Sequence, residues 1–374
     1  MNAKSSATSR RRFLLNGAAA AVGAATVFTG RRAGAAPTEL NILSWYGHAE
    51  PDMVGAFEAE HNVKINKKYY VGGDQMLAAI AQSPVGTYDI VLSDREYVEQ
   101  LVAADLIERL DPQDYPLDDF FPEFQTFPGH WQGNDLYSVM IRFGYLGLSY
   151  NSDALTEAEV RSYKVMWDPK IKGRVGHFDW HLPNFGSISL FNGNPKPFDL
   201  SESQWAALQD KTMSLKPQVA GYFDYGGILS SLRSSQVVAI PGIGDWITGV
   251  LQRDGAKVAT AIPDEGGLLW AESLSIGKGT KKGELARKFI NYVLSPEGQI
   301  RTAKLAAYPA LLPTKSGWKA LQETDSAEAK RQGMVSGSGN ALERYRDGRI
   351  KLRALPAQQS LEDWNDAWSA YKNL

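Results

Sequence analysis

The sequence predicts an α/β protein built from two lobes. Short strand patterns alternate with helical periodicities between residues 40 and 104, and the connections between them are short. The same alternation begins again after residue 150, and a long extended run at 137–150 stands between the two halves. Alternating strands and helices are typical of βαβ units around a mostly parallel sheet. An extended run of that length can cross from one lobe to the other.

The first half is predicted to contain three strands and three helices in alternation. The strands are expected at 40–46, 63–70 and 88–92, and the helices at 51–61, 75–82 and about 96–104. Ligands of such sheets bind beyond the carboxyl ends of the strands. Trp45, His48 and Asp94 stand at those ends, and we therefore expect them near a binding site.

The second half repeats this pattern and then returns to the first lobe. A turn at 167–175 leads into a strand, and Ser201 is expected to cap a helix over 201–215. The remaining strands are predicted at 237–240, 258–262 and 268–276, and the remaining helices near Asp245, at 284–294 and at 361–372.

The strand at 268–276 contains the clearest candidate pair for a binding site. Side chains alternate along a strand, so Trp270 and Glu272 project from the same face. An aromatic ring beside a carboxylate can hold an organic cation by cation–π attraction and an ion pair. The pattern is also typical of a half-buried strand with Trp270 in the core and Glu272 at its rim. The residues alone leave both interpretations open.

Residues 1–35 differ in composition from the rest of the chain. Arg10-Arg11-Arg12 precedes a mildly apolar run at 18–28 and the small-residue site Ala33-Gly34-Ala35. This arrangement resembles a twin-arginine export signal, which the Tat translocon reads when it carries folded proteins across the bacterial inner membrane. The apolar run is too short for a membrane span, which needs roughly 20 residues. We expect cleavage near Ala35 and a location in the periplasm.

Charge and cysteine content exclude several classes of protein. Without residues 1–35 the chain has 34 basic and 42 acidic residues, a net charge of −8. An acidic chain without a basic patch is a poor candidate for binding nucleic acid. The absence of cysteine excludes disulfides, thiolate chemistry and a lipid anchor on an N-terminal cysteine. We expect a soluble monomer without a cofactor.

Four strings follow one another in a specific order: TYDIVLSDREYVEQLVAADLIERLD, MWDPKIKGRV, PDEGGLLWAESLSI and ARKFINYVLSPEGQ. Together they resemble the spermidine/putrescine-binding group among the periplasmic solute-binding proteins of ABC importers, over nearly all of residues 38–318. The resemblance implies a two-lobe, type II-like periplasmic binding protein fold with mixed sheets flanked by helices. Crossing strands would join the lobes, which close on a ligand by a hinge motion. The implied lobes are 36–141 with 270–310, and 142–269 with 311–374.

The resemblance also implies a site and two partners. The partners are a small amine as ligand and an inner-membrane ABC permease. Trp45 and Trp270 would sandwich the ligand, Glu272 would pair with its nitrogen, and Tyr308 would donate a hydrogen bond. The further lining candidates are Asp94, Asp245 and Trp246.

The chain departs from the family at several positions. Where the family has two acidic residues after the strand that follows the Lys-Gly-x-Val turn, only Asp179 is acidic here. His48 stands in place of the tyrosine that accompanies Trp45. Arg142 lies in the crossing strand, where the family is usually uncharged. If Arg142 faces the cleft, it favours an amphoteric or anionic solute, such as an amino-acid derivative or a phosphonate. An outward or salt-bridged arginine is the alternative.

Metal binding and catalysis find less support in the residues. His177, Asp179 and His181 would share one strand face, but Pro183 is expected to end the strand. A ferric or other metal ion is therefore the weaker alternative. The segment 186–190 lacks the Gly-x-Ser-x-Gly elbow, and the glycine pairs match no phosphate-binding loop. The sequence predicts a binding protein and not an enzyme.

Overall fold

The structure is a computed structural model and describes residues 36–373. The predicted export signal at 1–35 lies outside the described residues. Within the described part, strands and helices alternate as the sequence predicts. Apart from a small hairpin, the strands belong to one mixed sheet.

The strands have the following bounds. They are β1 (Thr38–Ser44), β2 (Val63–Tyr69), β3 (Ile90–Asp94), β4 (Trp131–Gln132), β5 (Asp135–Leu136), β6 (Val139–Asn151), β7 (Val175–Phe178), β8 (Val219–Phe223), β9 (Ala239–Gly244), β10 (Val258–Ala261), β11 (Gly267–Ile276) and β12 (Ile350–Leu352).

The helices surround the sheet, and none in the described part is long and apolar enough to cross a membrane. They are α1 (Pro51–His61), α2 (Gly73–Ala81), α3 (Arg95–Ala103), α4 (Pro122–Gln125), α5 (His181–Phe191), α6 (Glu202–Ser214), α7 (Tyr225–Arg233), α8 (Asp245–Arg253), α9 (Gly283–Leu294), α10 (Pro296–Ala303), α11 (Lys315–Thr324), α12 (Ser326–Gln332), α13 (Glu343–Arg346) and α14 (Leu361–Asn373).

Local sequence accounts for several of these elements. In α9 the buried residues recur at helical spacing, from Ala286 through Phe289 and Ile290 to Val293, so one face packs on the core. The predicted cap of α6 is present, because the Ser201 side chain accepts from the Gln204 backbone and the Gln204 side chain completes the capping box. Every residue of β6 and β11 is buried, as expected for strands at the centre of a covered sheet.

The sheet has a parallel set of strands at each end. β2, β1 and β3 form one set, and β9, β7 and β8 form the other. β11 and β6 lie between the two sets and run antiparallel to each other and to their outer neighbours. Ligands of parallel sheets bind at the carboxyl ends of the strands, so each parallel set can contribute residues to a site.

The crossing strands contribute to two separate hydrophobic cores. Phe143 of β6 and Leu269 of β11 belong to a core with α1 and α9, whereas Leu148 and Leu268 of the same two strands belong to a core with α5 and α6. The two cores and the strands that connect them match the predicted arrangement of two lobes joined by crossing strands.

The C-terminal part of the chain is divided between the two cores. Trp318, Leu321 and Ile350 pack in the first core, while α14 packs in the second core through Trp364 and Trp368. The expected division assigned all of 311–374 to the second lobe. The packing differs because α11 contacts α10 and β12 pairs with β11, which ties residues up to Leu352 to the first core.

Candidate ligand-binding site

A cavity of about 500 Å³ lies at the carboxyl ends of the two parallel sets of strands. Its size falls within the roughly 300–1,000 Å³ that is usual for small-molecule sites. Residues of both cores line it, and ten of the 21 lining residues are aromatic. The aromatic lining residues are Trp45, Tyr46, Tyr70, Phe178, Trp180, Phe223, Tyr225, Trp246, Trp270 and Tyr308.

Eight of the ten predicted site residues lie together in this wall. They are Trp45, Asp94, Arg142, Asp179, Trp246, Trp270, Glu272 and Tyr308. His48 and Asp245 lie outside it, which corrects the expectation that both line the site. Each of these two has a charged protein side chain as its partner.

A glycine on the neighbouring strand makes room for Trp270. Trp270 of β11 pairs with Gly144 of β6, and a Cβ on Gly144 would lie 2.7 Å from three atoms of the indole ring. Only 5% of Trp270 is exposed. Trp270 is therefore a core residue, as the pattern allowed, and at the same time part of the cavity wall.

Glu272 already has two partners in the protein. Arg142 Nε lies 2.7 Å from Glu272 Oε2, and His48 Nε2 lies 2.8 Å from the same oxygen. Arg142 also donates from Nη1 to the carbonyl oxygen of Tyr308 at 2.6 Å. Arg142 is thus buried and salt-bridged, and it nevertheless borders the cavity.

These contacts determine the charge of Glu272. Burial alone would raise its pKa, but Arg142, with a contribution from His48, outweighs burial and holds the pKa of Glu272 at about 2. Burial and the nearby Arg142 lower the pKa of His48, so its imidazole is neutral at pH 7. Glu272 is therefore ionised, and Arg142 compensates its charge.

A second cluster of charges lies beside the first. Asp94 of β3 pairs with Glu272 in the register of β3 and β11. Arg353 Nη2 lies 2.7 Å from Asp94 Oδ1, and Arg353 Nε bonds to Glu96. The guanidinium carbon of Arg353 lies 4.6 Å from the centre of the Trp180 ring, a cation–π distance. One arginine therefore serves two carboxylates.

Asp94 can change its charge near neutral pH. Burial raises its pKa to about 7, and the charges of Glu96 and Glu272 act in the same direction against Arg353. Because the group is desolvated and has two like charges beside it, it holds a proton more tightly than an exposed aspartate.

Asp179 borders the cavity with its charge compensated. Lys372 Nζ lies 2.7 Å from Asp179 Oδ1, and the Trp368 indole donates to the same oxygen at 2.8 Å.

β7 ends at Phe178 and α5 begins at His181, so His177, Asp179 and His181 do not share a strand face. In the described residues no group of three such side chains could hold a metal ion.

Asp245 belongs to an ion-pair network that joins α8 to α12. Arg331 Nη1 of α12 lies 2.7 Å from Asp245 Oδ1, and Arg331 also pairs with Glu328. Glu328 in turn pairs with Arg253 at the end of α8. The neighbouring residue Trp246 points into the cavity wall instead.

Several residues of the wall were not expected from the sequence. Trp180 follows β7, so the rule that selected Asp94 at a strand end could have found it, whereas Asp224 and Tyr225 follow β8, a strand that was not expected from the sequence. Asp224 is exposed and caps α7, where its Oδ1 accepts from the Gly227 backbone at 2.7 Å. Arg353 gave no such signal, because it reaches the site only through the pairing of β12 with β11.

The wall has more acidic groups than basic ones. Its charged residues are Asp94, Asp179, Asp224, Glu272, Arg142 and Arg353. Arg142 compensates Glu272 and Lys372 compensates Asp179. Asp94 shares its arginine with Glu96, and Asp224 makes no ion pair within residues 36–373. The wall can therefore accept positive charge beside aromatic faces.

Comparisons with known proteins agree with this architecture. Residues 52–330 match the family model described as "Bacterial extracellular solute-binding protein". The spermidine/putrescine-binding periplasmic protein of Escherichia coli is 24% identical over 281 residues, which cover 72% of this chain and 76% of that protein.

Solved structures have the same fold. An ABC transporter protein from Listeria monocytogenes has a TM-score of 0.75 and 19% identity, over 90% of this chain and 99% of that one. The spermidine/putrescine ABC transporter substrate-binding protein PotD from Streptococcus pneumoniae has a TM-score of 0.71 and 18% identity, with the same coverage. The predicted two-lobe, periplasmic binding protein fold is thereby confirmed.

Proposed function

Because this chain belongs to the bacterial extracellular solute-binding proteins, we propose that it is the receptor of an ABC importer and captures a small organic cation. The ligand class is a polyamine such as putrescine or spermidine, or a related amine. The observation that carries this proposal is the aromatic cavity with four carboxylates against two arginines in its wall. Such a wall favours ammonium groups and the methylenes between them.

The named relative supports the same ligand class. The Escherichia coli protein is named for binding spermidine and putrescine in the periplasm. An inner-membrane permease as partner, a monomeric state and a periplasmic location after Tat export and cleavage near Ala35 complete the proposal. For the lobes we propose the predicted division with one amendment, in which residues 311–352 join the first lobe because they pack in its core.

An amphoteric or anionic solute held by Arg142 is the second candidate. Arg142 does border the cavity. However, its Nε and Nη1 are engaged by Glu272 and by the Tyr308 carbonyl. An arginine whose charge is neutralised inside the protein attracts an anionic group less than a free one does. The geometry therefore favours the amine.

A thermal-shift panel on the purified protein tests the proposed function. The panel contains putrescine, cadaverine, spermidine, an amino acid such as γ-aminobutyrate, an alkyl phosphonate and ferric ion. A ligand that binds the native state at about 100 times its Kd stabilises it by roughly 2.7 kcal/mol. We expect the melting temperature to rise with the amines. If only γ-aminobutyrate or the phosphonate raises the melting temperature, the ligand is an amphoteric or anionic solute and not a polyamine. If only ferric ion raises it, the proposal of an organic cation is contradicted.

A further inference from the structure

A second cavity lies beside the first core, apart from the aromatic cavity. It has a volume of about 360 Å³ and shares no lining residue with the aromatic cavity. Trp318 and Phe121 form the aromatic part of its wall, with ring centres 4.7 Å apart, and Trp318 is buried in the first core. The volume is sufficient for a small molecule, because such sites usually measure about 300–1,000 Å³.

The charged residues that line the second cavity are all basic. They are Lys315, Lys319 and Arg346. Lys315 Nζ donates to the Asp118 carbonyl at 3.0 Å, and within residues 36–373 it pairs with no carboxylate. Lys319 has only Glu323 as a partner, at 3.9 Å, and both side chains are exposed. At least two positive charges at this cavity therefore lack a close counter-charge.

The carboxylates of the surrounding segments are engaged within the protein. Glu123 accepts from Arg346 Nε, which leaves the two terminal nitrogens of that guanidinium without a partner in the described part of the chain. Asp119 accepts from the Ser316 backbone at 3.1 Å, and Glu343 accepts from a loop backbone N–H at 2.8 Å. None of these three carboxylates lines the cavity. The wall is therefore suited to an anion, in contrast to the aromatic cavity.

A glycine-rich loop adds hydrogen-bond donors to the same wall. Ser336 and Gly337 of the polar stretch 336–340 line the cavity. The backbone N–H groups of residues 336–338 have no acceptor within residues 36–373. Gly337 has a φ of +83°, which glycine adopts without strain, and it has no side chain that would cover the backbone. Free backbone N–H groups beside lysine and arginine are suitable donors for carboxylate or phosphate oxygens.

We propose that the second cavity binds a small organic anion with a carboxylate or phosphate group. The anionic group bonds to Lys315, Lys319 and Arg346, and an apolar part of the ligand packs on Trp318 and Phe121. Charge-assisted hydrogen bonds from lysine and arginine hold the oxygens, and the aromatic rings favour an organic anion over an inorganic one. This site is independent of the proposed capture of an amine, because the two cavities share no residue.

Nuclear magnetic resonance on the unmodified protein tests the site. The reporter is the indole N–H of Trp318, which donates to the Leu312 carbonyl at 2.7 Å, and its signal is assigned by its loss in Trp318→Phe. The probes are phenyl phosphate, inorganic phosphate and uncharged benzyl alcohol. We expect phenyl phosphate to shift the signal saturably, with an affinity that falls as the salt concentration rises, and to bind more tightly than inorganic phosphate.

Three results of this titration would overturn the proposal. They are the absence of a saturable shift with phenyl phosphate up to about 10 mM, an equal response to benzyl alcohol, and equal affinities for phenyl phosphate and inorganic phosphate. The second result would show that charge is not recognised, and the third that the aromatic wall is not used. The titration needs no amine, so a failure of putrescine to bind would overturn only the proposed function.

Two matched lysine variants separate a local contact from net charge. Lys319 of α11 and Lys288 of α9 are both exposed and each faces a glutamate four positions away, but only Lys319 lines the second cavity. We expect Lys319→Ala to weaken phenyl phosphate binding about 2- to 5-fold, and Lys315→Ala with Lys319→Ala about 5- to 20-fold. Lys288→Ala should leave the affinity unchanged. Equal losses in Lys319→Ala and Lys288→Ala would show a response to net charge alone and would refute the site.

Discussion

Replacing Glu272 with Gln removes the charge that compensates Arg142. Arg142 is 1% exposed, and its Nε lies 2.7 Å from Glu272 Oε2. In the Glu272→Gln variant the guanidinium keeps the Tyr308 carbonyl as an acceptor but has no anion beside it. A buried charge without a counter-charge is costly, so the native state should lose stability even in the absence of ligand.

The geometry of the pair gives the expected size of this loss. Removing one partner of a buried ion pair costs about 3–5 kcal/mol. Coulomb's law agrees, since two unit charges about 4 Å apart at an effective dielectric constant of about 20 attract by about 4 kcal/mol. For a chain of this size, at roughly 2 °C per kcal/mol, the melting temperature should fall by roughly 6–10 °C.

The matched control removes both charges. In Arg142→Met with Glu272→Gln, no uncompensated charge remains, and we expect most of the lost stability to return. Thermal unfolding of the wild type, both single variants and the double variant at pH 7 measures the coupling. Putrescine affinity should stay below that of the wild type in the double variant, because the repulsion by Arg142 is gone but the negative charge of Glu272 is still missing. A double variant at least as unstable as Glu272→Gln would refute this account of the pair.

Three further predictions follow from other contacts. Gly144→Ala places a Cβ 2.7 Å from the Trp270 indole. We therefore expect the free energy of unfolding to fall by about 1–3 kcal/mol and the tryptophan emission to change. An unchanged emission and stability would contradict the close approach. Asp245→Asn should keep putrescine affinity within about twofold and cost no more than about 1 kcal/mol, because Asp245 pairs with Arg331 outside the wall; a tenfold loss of affinity would return Asp245 to the site. The pKa of Asp94 is about 7 in the native state and near 3.8 in the unfolded chain. The protonated carboxyl therefore stabilises the native state at low pH, and this contribution to the free energy of unfolding is lost as the pH rises through 7. Relative to the wild type, Asp94→Asn should therefore gain stability between pH 4 and 8 in urea titrations, and a constant difference would contradict the shift.

Much of the fold was predictable because it depends on local patterns. The expected strand at 268–276 is β11 (Gly267–Ile276), and the expected helix at 284–294 is α9 (Gly283–Leu294). Long runs of apolar residues and helical spacing determine such elements wherever they lie in the fold. The extension of a strand through His181 was not supported, because the chain turns after Phe178 and a helix starts at His181.

The candidate site was predictable to the extent that it follows strand ends. Trp45, Asp94 and Asp179 lie at or just after carboxyl ends of parallel strands, and the structure brings all three to one cavity. Trp180 follows the same rule and was missed although its position offered the same signal. Asp224 was missed because β8, the strand before it, was not expected from the sequence. Arg353 offered none, because its place depends on a strand pairing between distant parts of the chain.

The sequence by itself determined the alternation of strands and helices, the face shared by Trp270 and Glu272, and the strand ends at which a site could form. Only the tertiary structure decided which charges meet. Period-two alternation places Glu272 on a face, but the register of β6 against β11 brings Arg142 to it, and the register of β3 brings Asp94. Spacing along the chain describes neighbours within one element, whereas the Coulomb energy of a carboxylate depends on distances between elements. For this reason Glu272 could be expected in the wall from the sequence, while its compensation by Arg142 and the raised pKa of Asp94 could not.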